Sequence, residues 1–161
     1  GGVIEVLAGT GHQVGVYPAS QPEDVAGIND RVELSAAEAE LRRRTNTAWL
    51  ARGVTMLDPE RTYVDATVEL SPDVTLFPGT ILQGVTVIGE GCEIGPDTRL
   101  VDTRVGAGSR IEKTTAERAI IGADSHVGPF AALGIGAELP AASVTGPFYT
   151  AGVEAPPTHR P

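Results

Sequence analysis

Residues 64–100 read VDATVE LSPDVT LFPGTI LQGVTV IGEGCE IGPDTR L, and each block of six begins with a branched aliphatic residue. This spacing fits neither the 3.6-residue period of an α-helix nor the alternation of a single β-strand. It is typical of a hexapeptide-repeat parallel β-helix, in which three repeats make one three-sided coil. The aliphatic positions are Val64, Leu70, Leu76, Leu82, Ile88, Ile94 and Leu100.

The repeat continues after two changes of spacing. One deletion precedes Val105 and Ile111, and a four-residue insertion precedes Ile121, Val127, Leu133 and Leu139. The sequence thus predicts thirteen hexads, or about four coils. An antiparallel sandwich is disfavoured because its turn signals recur only about every 8–12 residues.

The aliphatic residues form one column of repeated positions, and a second column of smaller residues supports the same prediction. Small or β-branched residues stand two positions before the next aliphatic, and residues two apart on a strand share a face. Both columns are therefore expected to point into a narrow core, while the Gly-, Pro- and Asp-rich positions between them form the corners. The second column consists of Val68, Val74, Thr80, Thr86, Cys92, Thr98, Ser109, Ser125, Ala131, Ala137 and Ser143.

The composition limits the kinds of molecule that the chain is expected to bind and the compartment in which it is expected to act. The net charge is −9, and the longest basic run is Arg42-Arg43-Arg44, so neither nucleic acid nor an anionic membrane is an expected partner. The one cysteine, Cys92, cannot form an internal disulfide and is expected to be an inert core residue. The sequence shows no signal peptide or membrane span, which predicts a cytoplasmic protein.

The chain is predicted to have four parts. Residues 1–34 are interpreted as the end of a larger α/β domain, and residues 35–52 as a linker helix. A capping box at Ser35 and Glu38 starts that helix, and Gly53 ends it. Residues 53–145 form the β-helix, and residues 146–161 are expected to be a disordered tail.

Two stretches around the linker carry a family resemblance. GINDRVEL at 27–34, followed by a helix, and then GVTMLDP at 53–59, followed by hexads, resemble the middle of the bifunctional UDP-N-acetylglucosamine pyrophosphorylase/glucosamine-1-phosphate N-acetyltransferase family. The resemblance implies a mainly β chain: a left-handed parallel β-helix, preceded by a linker helix and the remnant of a Rossmann-like nucleotidyltransferase domain.

One residue carries a functional role over from this resemblance. Asn29 matches the family asparagine whose side-chain oxygen helps to bind Mg²⁺ at the sugar-nucleotide diphosphate, and Mg²⁺ prefers hard oxygen ligands. The resemblance therefore implies that Asn29 binds the substrate and the metal ion, with further ligands from the preceding domain. The alternative is a turn asparagine beside Gly27 and Asp30.

The chain departs from the family pattern elsewhere. It contains no Gly-rich nucleotide loop, which leaves the uridylyl site incomplete. In GPFAALGIG (128–136) Gly134 replaces the family arginine that binds the sugar phosphate, a role that glycine cannot fill. The family's catalytic histidine and acetyl-coenzyme A surface belong to later coils. No catalytic residue is therefore assigned, acetyl-coenzyme A is not an expected cofactor, and His126 is interpreted as a solvent-facing residue.

Three hypotheses follow. The first is that the chain is part of a sugar-nucleotide pyrophosphorylase that makes UDP-N-acetylglucosamine for peptidoglycan synthesis, with Mg²⁺ as its cofactor. In this hypothesis the acetyltransferase half is inactive or truncated. The second is a non-catalytic β-helix that assembles homotrimers, because solenoid faces and ends favour self-association. The third is a hexapeptide acyltransferase with an unfamiliar site. The isolated chain is expected to be inactive, because both sites are incomplete.

Overall fold

A computed structural model describes residues 23–152, with side chains described from residue 29. It contains one long helix, α1 (Glu23–Ala51), followed by sixteen short strands and a single 3-10 turn at Pro59–Arg61. The chain divides into two compact units, residues 1–45 and residues 46–161. Within the part described, no helix has the length and apolar character needed to span a membrane.

The strands form three parallel sheets, each made of every third strand. Sheet 1 contains β1 (Thr55–Met56), β4 (Thr75–Leu76), β7 (Glu93–Ile94), β10 (Arg110–Ile111) and β13 (His126–Val127). Sheet 2 contains β2 (Thr62–Val64), β5 (Thr80–Gln83), β8 (Arg99–Val101), β11 (Thr114–Glu117), β14 (Ala131–Leu133) and β16 (Thr150–Ala151). Sheet 3 contains β3 (Glu69–Leu70), β6 (Val87–Ile88), β9 (Arg104–Val105), β12 (Ile120–Ile121) and β15 (Glu138–Leu139).

This arrangement confirms the predicted mainly β fold, a parallel β-helix of hexapeptide repeats after one helix. Each strand pairs with the strand one coil later, so that Met56, Leu76, Ile94, Ile111 and Val127 are in register. Five coils are complete and a sixth begins, where the sequence predicted about four. The predicted hexads begin at Val64, which leaves out β1, and they skip the β11 position that Ala116 occupies.

The interior is the aliphatic column that the sequence predicted. Leu76, Leu82, Ile88, Ile94 and Leu100 are fully buried. The small column is buried beside them except at Ser143, which is half-buried, and the hydroxyls of the column donate to backbone carbonyl groups. Thr80 Oγ1, for example, donates to the carbonyl oxygens of Phe77 (2.7 Å) and Ile94 (3.1 Å). Hydroxyl-bearing residues are therefore tolerated inside, because each donor has a partner.

The predicted four-residue insertion before Ile121 is wrong. Ala116 is buried and in register with Leu100 and Leu133, so two five-residue steps join Ile111 to Ile121. A search for branched aliphatic residues misses alanine, which fills the same position with less volume. The column is continuous through this coil.

The predicted start of the helix at Ser35 is also wrong, because α1 begins at Glu23. A Ser–Glu pair caps a helix only where amide groups are free, and the same pair fits inside a continuing helix. No proline interrupts residues 23–51. The linker helix is therefore longer than 35–52, and it includes residues 23–34 that the sequence assigned to the preceding domain. Residues 1–22 of that predicted domain lie outside the described residues.

The β-helix also extends past residue 145, its predicted end. Thr150 and Ala151 pair with Ala132 and Leu133, which places residues 146–152 in the coil and not in a tail. Backbone pairing supplies the hydrogen bonds that a disordered segment would leave to water. Residues 153–161 of the predicted tail lie outside the described residues.

Three corner columns join the sheets. The first corner joins sheet 1 to sheet 2, the second joins sheet 2 to sheet 3, and the third returns to sheet 1. Each coil places a residue with positive φ at a corner, and four of these residues are aspartates: Asp73, Asp97, Asp102 and Asp124. Aspartate tolerates this conformation better than most side chains, which explains the Asp-rich corners.

Candidate functional site

Asn29, the predicted metal and substrate residue, lies in α1 and is exposed. It is therefore not in the turn that the alternative interpretation required. An exposed amide oxygen can serve as one Mg²⁺ ligand, but a protein site for this ion combines several oxygen donors. Within residues 29–152, no group of three His, Cys, Asp or Glu side chains is placed to hold a metal ion. The described residues alone do not build the magnesium site.

The GPFAALGIG segment lies in the fifth coil, where it forms the first corner, strand β14 and the second corner. Gly134 occupies the second corner, and its amide nitrogen donates to the carbonyl oxygen of Ala151 at 2.7 Å. The position at which the resemblance predicts a phosphate-binding arginine thus offers the solvent no charged side chain. Its neighbour Ile135 is 58% exposed, so an apolar side chain faces the solvent beside Gly134.

The first corner carries an unusual set of side chains. Lys113 (φ 45°), Phe130 (φ 59°) and Phe148 (φ 62°) all adopt positive φ, which costs a bulky residue about 1–2 kcal/mol. Hydrogen bonds between coils hold this backbone: Lys113 N donates to Pro96 O (2.9 Å), and Phe130 N donates to Lys113 O (2.7 Å). The corner therefore projects three large side chains in a single column.

These side chains stack along the column. The rings of Phe130 and Phe148 are nearly parallel, with centroids 5.6 Å apart, and the Lys113 ammonium lies 5.7 Å from the centre of the Phe130 ring. Phe130 is 53% exposed and Phe148 is 77% exposed. Such contacts between rings and between a cation and a ring are favourable but leave much apolar surface in water.

An open groove of about 410 Å³ runs beside this column. The residues that line it are Asp97, Lys113, Thr114, Thr115, Phe130 and Ala131. Thr114 Oγ1 donates to the carbonyl oxygen of Glu112 at 2.7 Å and is buried, so it is not a free nucleophile. The groove therefore offers apolar surface together with one carboxylate and one ammonium group.

His126 lies on the outer face of sheet 1, with a half-exposed side chain. Its Nε2 lies 3.8 Å from Glu112 Oε1, and the pair borders a hollow of about 150 Å³ together with Glu93 and Arg110. Glu93 and Arg110 form an ion pair of 3.7 Å in this hollow. Exposed pairs at these distances contribute little to stability. The predicted outward position of His126 is thereby confirmed.

Cys92 lies in the lumen, as the sequence predicted. It is fully buried, and its Sγ lies 3.1 Å from the carbonyl oxygen of Gly106. Burial raises the pKa of the thiol, which opposes formation of the reactive thiolate. Cys92 is therefore a packing residue and not a nucleophile.

Sequence reasoning missed Asn46, which is 1% exposed near the end of α1. Its Nδ2 donates to the carbonyl oxygens of Pro59 (2.8 Å), which lies within the short detour between β1 and β2, and of Thr62 (2.9 Å), the first residue of β2. The neighbouring Trp49 packs against the core, and the Arg52 guanidinium lies 5.0 Å from the centre of its ring. No local motif signals this role, because the two carbonyl groups lie thirteen and sixteen residues away in sequence.

Comparison with known proteins places this architecture in a family. No protein-family profile matches the chain. The bifunctional protein GlmU of Streptomyces avermitilis is 47% identical over 146 residues, which are 91% of this chain and 30% of the relative. The bifunctional proteins GlmU of Streptomyces coelicolor (45% identity, 92% of this chain) and Caldanaerobacter subterraneus (42%, 80%) cover similar shares, 31% and 28% of their own lengths.

Among solved structures, a mutant of the GDP-perosamine N-acetyl transferase from Caulobacter crescentus matches with a TM-score of 0.32 and 22% identity. The match covers 70% of this chain and 60% of that one. Measured against the GlmU relatives, the chain spans only about 30% of their length. The high identity over nearly the whole chain and the β-helix after a linker helix agree: the chain belongs to the family of the bifunctional protein GlmU.

Proposed function

We propose that this chain is part of a sugar-nucleotide pyrophosphorylase that makes UDP-N-acetylglucosamine and pyrophosphate from UTP and N-acetylglucosamine-1-phosphate. In this reaction a phosphate oxygen of the sugar attacks the α-phosphorus of UTP. The bond between the α- and β-phosphates breaks, and pyrophosphate leaves. The product is a precursor of peptidoglycan. Membership in the GlmU family supports this proposal, together with the match of GINDRVEL (27–34) to the family pattern.

The proposed role of Asn29 is to supply one oxygen ligand to Mg²⁺ at the diphosphate of the sugar nucleotide. A bound magnesium ion neutralises charge on phosphate groups. Exposure of Asn29 on α1 leaves its amide oxygen accessible. The remaining ligands are proposed to come from residues other than those described here, because residues 29–152 do not assemble a metal-binding group of acidic or histidine side chains.

The acetyltransferase half is proposed to be inactive. The observation that carries this is Gly134, which stands where the family resemblance predicts a phosphate-binding arginine. A guanidinium group binds phosphate through two parallel hydrogen bonds, and a glycine corner whose amide is already bonded to Ala151 does not replace it. The β-helix is then proposed to act as a structural module that assembles homotrimers. A hexapeptide acyltransferase activity is the alternative.

Pyrophosphate release tests the first part. In the complete protein that carries this chain, Asn29→Ala is expected to lower Mg²⁺-dependent pyrophosphate release at least tenfold and to raise the magnesium concentration needed for half-maximal rate. Glu38→Gln, also in α1, is the matched control and is expected to behave as wild type. Wild-type magnesium dependence in Asn29→Ala would remove Asn29 from the site.

Thiol release tests the second part. The chain, incubated with acetyl-coenzyme A and glucosamine-1-phosphate, is expected to release no free coenzyme A above a blank without enzyme. Turnover in this assay would refute the proposed loss of activity and support the acyltransferase alternative.

A further inference from the structure

Glu33 lies beside Asn29 on α1. Residues four positions apart in an α-helix lie on the same face, about one turn from each other. Because α1 begins at Glu23, this spacing applies at Asn29 and brings Glu33 next to it. Asn29 is exposed and Glu33 is partly exposed, so an amide oxygen and a carboxylate share an accessible face of the helix. The helix thus pairs two oxygen donors, a pairing that a turn at Asn29 does not fix.

No basic residue on α1 balances the charge of Glu33. The positions one turn before and after it hold Asn29, Asp30, Ala36 and Ala37. Arg31 is two residues away and therefore lies on another side of the helix. Glu33 makes no ion pair with any residue that the structure describes. Asp30 adds a like charge three residues away, which is unfavourable in a helix, so a cation bound at this face relieves the repulsion.

The other glutamates in the described part of α1 have basic neighbours. Glu40 accepts hydrogen bonds from Arg43 Nε (2.9 Å) and Arg44 Nε (2.9 Å). Glu38 is followed one turn later by Arg42. Among the glutamates in residues 29–51, Glu33 therefore combines a neighbouring amide oxygen with no basic side chain one turn away.

The donor chemistry of this face fits a magnesium ion. Mg²⁺ prefers hard oxygen ligands and is usually bound by one or two carboxylates together with the phosphate groups of a substrate. Two ligands four residues apart on a helix also have a precedent in zinc sites with paired histidines. Val32 lies on the same face and is 64% exposed, so the described residues leave this face open to a ligand.

We infer that Glu33 is a second oxygen donor from α1 to the Mg²⁺ ion at the diphosphate of the sugar nucleotide, beside Asn29. This inference rests on the proposed role of Asn29 and adds a charged ligand to it. The carboxylate attracts the ion through a full negative charge, whereas the amide oxygen contributes only a dipole. Glu33 therefore contributes to the affinity for the ion, and Asn29 alone does not account for it.

A titration with Mn²⁺ followed by electron paramagnetic resonance tests the inference without an activity measurement. Mn²⁺ is the probe because it prefers the same oxygen ligands as Mg²⁺. The complete protein that carries this chain is saturated with UDP-N-acetylglucosamine, and a sample without protein is the blank. Glu33→Gln and Asn29→Ala are each expected to raise the Kd for Mn²⁺ about tenfold.

Glu38→Gln is the matched control, because it removes the same charge from the opposite side of α1. At about 100° per residue, position 38 lies roughly 180° from Asn29 around the helix axis. This variant is expected to bind Mn²⁺ as wild type does. Glutamate and glutamine have similar helix propensities, so both substitutions keep the helix, and circular dichroism verifies this.

The outcomes separate this inference from the proposed function. Wild-type Mn²⁺ affinity in Glu33→Gln, with weakened binding in Asn29→Ala, would overturn the inference and leave the role of Asn29 standing. Equal weakening in Glu33→Gln and Glu38→Gln would show a general effect of charge and would also overturn it. Wild-type affinity in both Asn29→Ala and Glu33→Gln would overturn both. Pyrophosphate release by the wild type, measured in parallel, reports separately on the proposed reaction.

Discussion

Asn46 donates a hydrogen bond of 2.9 Å from Nδ2 to the carbonyl oxygen of Thr62, and Thr62 begins the first strand of sheet 2. The same nitrogen donates to the carbonyl oxygen of Pro59, so one side chain bonds both to the detour between β1 and β2 and to the strand that follows it. Asn46 therefore joins the C-terminal part of α1 to the first coil.

Asn46→Ala is expected to destabilise the first coil. The substitution leaves the buried carbonyl group of Thr62 and the partly buried carbonyl group of Pro59 without their donor, which costs about 1–3 kcal/mol of unfolding free energy. Urea denaturation followed by circular dichroism measures the change. Asn29→Ala on the exposed part of the same helix is the control, and its unfolding free energy should stay within about 0.5 kcal/mol of wild type. Equal stability of the two variants would show that Asn46 does not hold the detour.

The two faces of the strands should respond differently to the same substitution. Ile94 is fully buried in the lumen, whereas Ile120 points outward and is 47% exposed. Ile94→Ala is expected to cost about 2–5 kcal/mol, because it removes lumen contacts and leaves a cavity. Ile120→Ala is expected to cost about 1 kcal/mol or less. Denaturant midpoints measure both, and similar losses at the two positions would contradict the inward column.

Glu40 should titrate at unusually low pH. Hydrogen bonds from Arg43 (2.9 Å from Nε) and from Arg44 (2.9 Å) lower the pKa of its carboxyl group from 4.5 to about 2. Since the folded pKa lies below the unfolded value, the stabilisation by these ion pairs is present above about pH 4.5 and disappears as the pH falls toward 2. Carbon-detected NMR titration of the side chain measures this pKa.

The matched variant for that titration is Arg43→Ala combined with Arg44→Ala. It should return the pKa of Glu40 to near 4.5, because both hydrogen-bond donors are gone. High salt should have a smaller effect in the same direction, since the cluster is exposed and salt screens it. A Glu40 pKa unchanged by the double substitution would refute the assignment.

Cys92 should resist thiol reagents in the folded protein. Burial raises its pKa and blocks access, so a chromogenic disulfide reagent is expected to modify no thiol at mildly alkaline pH. After denaturation in guanidinium chloride the same reagent should titrate one thiol for each chain. Rapid native reaction would mean that the lumen opens around residue 92.

Residue spacing was sufficient to predict the lumen, because an inward position repeats with each short strand and tolerates only apolar or small side chains. Spacing failed at Ala116, where alanine occupies an aliphatic position, and at Ser35, where a capping pair lies inside a helix. It could not reveal the roles of Asn46 or Phe130. The partners of Asn46 are backbone carbonyl groups, which every residue has, and the projection of Phe130 depends on a positive φ that its residue type disfavours.

The residues of the candidate sites also divide into those that the sequence could place and those that it could not. Gly134 and His126 stand where the sequence placed them, because both lie on coils whose register the hexads determine. The role of Asn29 stays a prediction, since its proposed ligand requires residues beyond those described. The groove beside Phe130 depends on three different coils, and only the folded coil brings Asp97, Lys113 and Phe130 together.

The detour at Leu57–Arg61 adds chain between β1 and β2 while the strands on either side keep their pairing with the next coil. A corner can therefore lengthen outward without shifting the registers on which the lumen depends. This property makes the first corner of the first coil a natural position for grafting a loop or a small domain. It also explains how a repeat architecture can diversify its surface while its interior stays periodic.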